Sequence, residues 1–256
     1  MKQTAEALAI WNEQLQEIEG QVKADPENGQ LWLRYAQFLD RQCDNPVETL
    51  RAYQRAQKLN PDKDLRLSIG KALFGVRRDE EGLALLRTVC AEKPTEYGYC
   101  MLAQCLIWND QHDHAIEALK QAIAIDPDFD EAYYYLGNAY CDKKESEQAI
   151  QCYREAVRLN PDNDLAWREL GFALLRDDDT LEQGVEILTR IYQKNPRDEG
   201  TIMSLAWALW RMQMYEDSLK ILGKAIADGA KNPFIAELHA DVTAEMNQKK
   251  QSNPAE

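Results

Sequence analysis

Two histidines and an aspartate come nearest, by residue type and spacing, to a site for chemistry. His112 and His114 are two residues apart and Asp110 precedes them. Imidazole and carboxylate groups of this kind can hold a metal ion at a protein surface. Two histidines at this spacing are a weak pattern, however, and a polar surface turn explains them better. His239 has no candidate partner. We therefore predict no metal and no cofactor.

Established catalytic motifs are absent from the 256 residues. The chain has no glycine-rich phosphate loop, no HExxH metal motif and no GxSxG nucleophile motif. With three histidines in all, it has little capacity for general-base catalysis. The acidic run at residues 177–179 lacks the alternating ligands and the trailing glutamate of a calcium loop. The sequence predicts a protein that is not an enzyme.

Six cysteines are spread along the chain without a CxxC pair, and most fall inside helical patterns. Disulfide frameworks are typical of short secreted chains, whereas reduced thiols fill gaps in the cores of larger intracellular proteins. We expect reduced thiols throughout. The residues are Cys43, Cys90, Cys100, Cys105, Cys141 and Cys152.

The charge balance argues against two classes of partner. The chain has 44 acidic and 30 basic residues, a net charge of −14. Nucleic acids and anionic membrane surfaces both require a surplus of lysine and arginine, so we expect neither as a partner. The longest uncharged stretch, residues 97–109, is shorter than the roughly 20 residues of a membrane-spanning helix. The first residues, MKQTAE, show no export signal, and we expect a cytoplasmic protein.

Prolines that follow a polar residue recur every 33 to 35 residues. Such dipeptides favour a turn, and proline disfavours helix at the residue before it. Between successive prolines lie two amphipathic segments joined by a polar turn; in one of them Tyr133, Leu136 and Tyr140 share a helical face. The pattern predicts a repeated helical hairpin. The prolines are Pro26, Pro61, Pro94, Pro127, Pro161 and Pro196.

Two places in each repeat unit carry only small residues. Two helices that pack closely need a small side chain where they cross. Glycine inside a helix costs about 1 kcal/mol relative to alanine, so close contact is the economical explanation for it. The eighth place is Ala36, Gly70, Ala103, Gly137, Gly171 and Ala206, and the twentieth is Thr49, Gly82, Ala115, Ala149, Gly184 and Ser218. Large apolar residues recur at the seventh, eleventh and twenty-fourth places.

The unit resembles the tetratricopeptide repeat (TPR), whose pattern is Trp-x2-Leu-Gly-x2-Tyr, then Ala-x3-Phe-x2-Ala, then Pro. The best matches begin at Tyr133 and Trp167. The departures are an extra residue in the turns of the first and fifth units, and Arg66 where tryptophan is usual. The resemblance implies an all-α fold, a right-handed α-solenoid of six TPR helical hairpins with N- and C-terminal capping helices. The units are 29–62, 63–95, 96–129, 130–163, 164–198 and 199–232, which together span 29–232.

The ends of the chain fit caps, because a stack of repeats needs a polar outer side at each end. Residues 1–25 are predicted as an N-terminal capping helix, residues 233–247 as a C-terminal capping helix and residues 248–256 as a flexible tail. The apolar stripe of the first helix is Leu8, Trp11, Leu15, Ile18 and Val22, and that of the last is Phe234, Leu238, Val242 and Met246.

The resemblance implies that the first helices of successive units line a concave groove. Phe172 and Trp207 are the strongest candidates for partner contact, whereas Phe74 and Trp210 can equally pack against the adjacent repeat. Aromatic residues concentrated in a groove are what a protein-binding hot spot needs. The predicted partner-binding residues are Lys71, Phe74, Tyr97, Gln104, Trp108, Tyr134, Asn138, Arg168, Phe172, Arg176, Trp207, Trp210 and Arg211.

The predicted function is a non-catalytic scaffold that binds a peptide or helical segment of a partner protein in this groove, as an adaptor or a client chaperone. Three arginines at the groove places of the last two units favour a partner with apolar anchors and acidic groups. Asn138 and Gln104 are expected to hydrogen-bond the partner's backbone. Two alternatives stay open: a structural protein that self-associates into a homo-oligomer, and a regulatory subunit of an enzyme encoded elsewhere.

Overall fold

The computed structural model describes residues 2–42 and 45–252, with side chains for residues 9–41 and 45–252. This part of the chain forms fourteen α-helices and no β-strand, which confirms the all-α prediction. The helices are α1 (Lys2–Ala24), α2 (Gly29–Gln42), α3 (Pro46–Leu59), α4 (Arg66–Gly75), α5 (Asp79–Glu92), α6 (Glu96–Trp108), α7 (His112–Ile125), α8 (Asp130–Asp142), α9 (Ser146–Leu159), α10 (Asp164–Leu174), α11 (Leu181–Lys194), α12 (Glu199–Arg211), α13 (Tyr215–Ala227) and α14 (Pro233–Ser252).

The chain divides into two compact units, residues 1–127 and 128–256. In the first unit, α2 pairs with α3, α4 with α5 and α6 with α7, while α1 packs on α2. In the second unit, α8 pairs with α9, α10 with α11 and α12 with α13, while α14 packs on α12 and α13. Successive pairs within a unit also touch. Because short turns join the paired helices, they run antiparallel, and each unit is a stack of helical hairpins.

The helices of a hairpin cross where the sequence has its small residues, all of which are buried. A Cβ added to Gly184 in α11 would lie 2.9 Å from the carbonyl oxygen of Gly171 in α10. In the last hairpin, the Ser218 hydroxyl donates a hydrogen bond of 2.8 Å to the carbonyl oxygen of Ala206. The two backbones therefore approach too closely for a larger side chain at these places.

Large apolar side chains fill the space around each crossing. The residues at the twenty-fourth place are buried in every hairpin, and those at the seventh and eleventh places are buried except for Ile69 and Tyr140, which are half-buried. This repetition gives each hairpin the same core. The residues at the twenty-fourth place are Tyr53, Leu86, Leu119, Tyr153, Leu188 and Leu222.

The predicted proline turns lie before the hairpins, and in two of these turns a tryptophan side chain hydrogen-bonds to the carbonyl oxygen of the proline. The indole nitrogen of Trp32 donates to the carbonyl oxygen of Pro26 at 2.9 Å, and that of Trp167 donates to Pro161 at the same distance. Arg66 stands at the equivalent place and forms ion pairs with two acidic residues instead. The repeated tryptophan thus satisfies a turn carbonyl that has no partner within the helix.

The N-terminal helix α1 packs its apolar stripe on the first hairpin. Ile18 and Val22 are buried, and the ring of Trp11 stacks on Phe38 with 5.7 Å between the ring centroids. Leu8, which the sequence places on the same stripe, lies outside the described side chains.

The C-terminal helix α14 is longer than the sequence predicted. It continues to Ser252, so residues 248–252 are helical and do not belong to a flexible tail, while residues 253–256 lie outside the described residues. Glutamine and lysine at residues 248–251 are good helix formers. Lys249 and Lys250 also lie in the last turn, where positive charge is favourable.

Candidate functional site

An apolar groove lies in the second unit, among the end of α10, α12 and α14. Its volume is about 470 Å³, within the size range of ligand sites. We call it the α14 groove. It is lined by Phe172, Leu175, Arg176, Met203, Ser204, Trp207, Phe234, Glu237, Leu238 and Asp241.

Aromatic side chains give the α14 groove its apolar character. Phe172 is half-buried and packs on the core beneath it. Trp207 is 42% exposed and Phe234 is 59% exposed. Side chains of this size normally bury most of their area, and exposed apolar groups that share one concave surface are typical of an interaction site.

Helix α14 presents apolar residues on two faces. Ile235, which is 1% exposed, and Val242 dock the helix on the core formed by α12 and α13. Phe234 and Asp241, two helical turns apart, line the groove instead. This corrects the predicted apolar stripe of the helix, because Phe234 lies exposed in the groove and Ile235 takes its place in the core.

The far end of α14 is held by a carboxylate. The phenol of Tyr215 donates to Glu245 Oε1 at 2.9 Å, and the indole nitrogen of Trp210 donates to Glu245 Oε2 at 2.8 Å. These bonds favour the ionised carboxylate and lower the pKa of Glu245 below its ordinary 4.5, with Lys249 acting in the same direction. Trp210 therefore helps to attach the capping helix.

The attachment of α14 is expected to weaken in acid. A carboxylate whose pKa is lowered by folding stabilises the folded state above its unfolded pKa, and the contribution disappears as the pH falls through the folded pKa. We expect Glu245→Gln to lower the melting temperature at neutral pH, with a deficit that shrinks below about pH 4. Melting curves recorded by circular dichroism across this range test it.

Glu237→Gln is the matched control, because Glu237 on the same helix accepts no hydrogen bond from any residue that the structure describes. It should melt like the wild type at each pH. A deficit for Glu245→Gln that is equally large in acid and at neutral pH would contradict the carboxylate's role.

The extra residue of the fifth repeat unit shapes the rim near Trp207. It lies in the turn that contains residues 177–179. Arg211 donates to the carbonyl oxygen of Leu175 at 2.7 Å and pairs with the carboxylate of Asp178. Its guanidinium carbon also lies 5.4 Å from the centroid of the Trp207 ring. The charge of Arg211 is therefore neutralised within the chain by Asp178, and its guanidinium forms a cation–π contact with the indole of Trp207.

Three of the predicted partner-binding residues, Phe172, Arg176 and Trp207, come together in the α14 groove. Trp210, three residues further along α12, packs on the cluster that includes α14 and bonds to Glu245. Trp210 therefore packs within the chain, which is the alternative to partner contact that the sequence analysis left open for it.

Other predicted residues of the second unit are engaged within the chain. Arg168 bonds to the carboxylate of Glu169 at 3.2 Å. The Asn138 side-chain oxygen accepts a 2.8 Å hydrogen bond from the phenol of Tyr153. The ring of Tyr134 is half-buried and lies 6.4 Å from that of Tyr153. None of these residues lines the α14 groove.

The predicted residues of the first unit include an aromatic pair, of which Trp108 is exposed and Phe74 is half-buried. Trp108 is 55% exposed and meets Phe74 edge-on, with 6.2 Å between the ring centroids. Lys71 forms an ion pair of 3.5 Å with a neighbouring aspartate. Tyr97 is exposed and Gln104 is half-buried.

The sequence reasoning missed the contribution of α14 to the groove. Phe234, Leu238, Glu237 and Asp241 all line it, although the sequence assigned this helix to capping alone. The charge prediction counted only the groove places of the repeat units, and in the last two units these places carry three arginines and no acidic residue. The two carboxylates of α14 reverse that balance in the groove. The adjacent pair Phe234-Ile235 was the available signal, because one stripe cannot hold both.

The described cysteines are free thiols, in agreement with the sequence. Burial raises the pKa of the Cys90 thiol to about 11 and that of Cys105 to about 12, so both stay protonated and unreactive at neutral pH. Cys43 lies outside the described residues. The free thiols are Cys90, Cys100, Cys105, Cys141 and Cys152.

The pair of histidines near Asp110 does not form part of a larger ligand set. His112 Nε2 lies 3.9 Å from Asp110 Oδ1. Among the side chains that the structure describes, those of residues 9–41 and 45–252, no three from His, Cys, Asp or Glu are grouped so that they could hold a metal ion. None of the helices described for this chain combines the length and the apolar character needed to cross a bilayer.

Comparison with known proteins identifies the repeat. The family model described as TPR repeat matches residues 109–142 and 137–178. Residues 109–178 therefore belong to tetratricopeptide repeats. The TPR match covers the middle of the chain, and the division into six units remains a prediction. A comparison with curated proteins finds no match.

Solved structures share the helical-repeat fold of this chain. The Cut9-Hcn1 hetero-tetramer of the APC/C matches with a TM-score of 0.71 at 15% identity, over 91% of this chain and 46% of the other. A monomeric mutant of IFIT1 with Gppp-AAAA matches with a TM-score of 0.70 at 17% identity, over 95% of this chain and 60% of the other. PilF of Pseudomonas aeruginosa matches with a TM-score of 0.60 at 19% identity, over 75% of this chain and 92% of the other. The chain thus spans less than two thirds of the first two, and the likeness shows the fold alone.

Proposed function

We propose that this TPR protein is a non-catalytic interaction module that binds a peptide or helical segment of a partner protein in the α14 groove. The observation that carries the proposal is the exposure of Trp207 and Phe234 on two walls of the same apolar groove. A terminal helix that only capped the stack would have a polar outer side. Here an exposed phenylalanine of the terminal helix lines the same groove as an exposed tryptophan of α12.

The groove is suited to binding because its walls are held rigidly. The opposite side of α12 is buried through Ile202 and Leu205, and that of α14 through Ile235 and Val242. Anchors on such helices lose little conformational freedom when a partner binds, so more of the contact energy appears as affinity. Adaptor and client chaperone are both roles that a groove of this kind can serve.

The test is a selection of peptides from a random display library on the intact, immobilised chain. Peptides enriched on the wild type should bind Trp207→Ala at least about tenfold more weakly, because truncating an aromatic hot spot costs about 2 kcal/mol or more and about 1.4 kcal/mol already corresponds to tenfold. Fluorescence anisotropy of the labelled peptides gives the dissociation constants. Circular dichroism checks that the variant keeps its helices.

Trp108→Ala is the matched control, since Trp108 is also an exposed tryptophan, at 55% against 42% for Trp207, and lies in the first unit. It should bind the selected peptides like the wild type. Enriched peptides that tolerate Trp207→Ala would overturn the α14 groove as the site. A concentration-dependent dimer in light scattering that Trp207→Ala dissociates would instead support self-association.

A further inference from the structure

The charges that line the α14 groove are not balanced within the chain. Glu237 and Asp241 are exposed on its α14 wall, and neither carboxylate bonds to or pairs with any residue that the structure describes. Arg176 is the cation of the lining and bonds to Ser146 Oγ and Cys141 Sγ, both at 3.4 Å. Two unpaired carboxylates therefore face one guanidinium.

The surroundings of the groove are acidic as well. Arg176 is followed by three aspartates at residues 177–179, all exposed, and one of them is already used by Arg211. Arg168, which the sequence suggested as a contact for acidic groups, pairs with Glu169. Of the arginines that favoured an acidic partner, Arg168 and Arg211 are thus compensated by carboxylates within the chain, while Glu237 and Asp241 have no compensating cation among the described residues.

On the basis of the function proposed above, we propose that the occupant of the α14 groove is a basic amphipathic segment of a protein, whose apolar side chains contact Trp207 and Phe234 and whose lysine or arginine side chains meet Glu237 and Asp241. The two carboxylates are four residues apart, one turn along α14. Basic residues three or four apart on a helical segment match this spacing. The net charge of −14 draws such a segment toward the chain.

Apolar burial supplies affinity and charge supplies selectivity in this arrangement. Carboxylates at an exposed rim gain little from any one ion pair, because water screens them. They penalise an acidic segment, however, since it would bring like charges together beside a surface that excludes water. We therefore expect the groove to prefer basic over acidic peptides, and we expect added salt to reduce this preference.

The experiment uses two blocked synthetic helical peptides with the same leucine and phenylalanine anchors, one with lysine and one with glutamate at the flanking positions. The intact wild-type chain should bind the lysine peptide about tenfold more tightly at low salt, with a smaller difference at high salt. Glu237→Lys/Asp241→Lys should reverse the preference. A control with two lysines away from the groove, Glu182→Lys/Glu186→Lys on α11, has the same net charge and should leave the preference unchanged.

The outcomes separate this inference from the function on which it rests. If the wild type bound both peptides equally and Trp207→Ala abolished that binding, the inference of a basic occupant would be wrong, while the groove would remain a binding site. Tighter binding of the glutamate peptide to the wild type would overturn it too. Binding of either peptide that survives Trp207→Ala would overturn the proposed function itself. A reversal that the α11 control reproduces would show a general charge effect and also contradict the inference.

Discussion

Replacing Ile235 with alanine is expected to destabilise the second unit by about 2–5 kcal/mol, the usual cost of truncating a buried isoleucine. Ile235 is 1% exposed and lies in one cluster with Ile202, Leu222 and Val242. The truncation leaves a cavity at the contact that docks α14, and a helix at the end of a stack has neighbours on one side alone to fill it. Urea unfolding followed by circular dichroism measures the loss.

Phe234→Ala provides the control one residue away. Phe234 is 59% exposed, so its truncation should change the free energy of unfolding by no more than about 0.5 kcal/mol. It should nevertheless weaken the binding of peptides selected on the groove. If Phe234→Ala destabilised the chain as much as Ile235→Ala, the division of α14 into a docking face and a groove face would be wrong.

Replacing Gly184 with alanine is expected to destabilise the second unit by about 2–3 kcal/mol, the upper part of the range for overpacking a core. The new Cβ would lie 2.7 Å from Leu175 Cδ2, 2.9 Å from the carbonyl oxygen of Gly171 and 3.2 Å from the Leu175 backbone nitrogen. Two of these atoms belong to the backbone and cannot rotate away. The clash therefore outweighs the gain of about 1 kcal/mol in helix propensity.

Gly223→Ala is the corresponding control in the same unit. Gly223 lies inside α13, and the nearest atom to an added Cβ is His239 Nε2 at 3.9 Å, an ordinary contact. Helix propensity then decides the result, and the variant should be more stable by about 1 kcal/mol. Opposite signs for the two substitutions in urea unfolding are the expected result. Stabilisation by both would mean that α10 and α11 are not in close contact at Gly184.

Several features of the fold could be predicted because they are decided within a single repeat. The small residues at the eighth and twentieth places, such as Gly171 and Gly184, lie where the two helices of one hairpin cross. The proline turns and the buried large residues repeat with the same period. A pattern repeated along the chain is readable because each copy forms the same local contacts.

The lining of the α14 groove could be predicted only in part. Phe172 and Trp207 were identified by their place in the repeat, which the hairpin itself fixes. The sequence left Trp210 open between partner contact and packing within the chain, and the structure favours packing because Glu245 on α14 accepts a hydrogen bond from the Trp210 indole. That contact joins residues 35 apart in the sequence, so no local pattern predicts it.

Contacts within one repeat fix the helical hairpins, the position of each turn and the residues of each core, and these features could therefore be predicted from the amino-acid sequence. The tertiary structure, in contrast, decided which face of α14 docks, because Phe234 and Ile235 are both apolar and only the packing against α12 and α13 selects one of them. It also decided the charge of the groove. Pairing of Arg211 with Asp178 and the placement of Glu237 beside Trp207 are contacts between distant segments, which depend on how the elements pack.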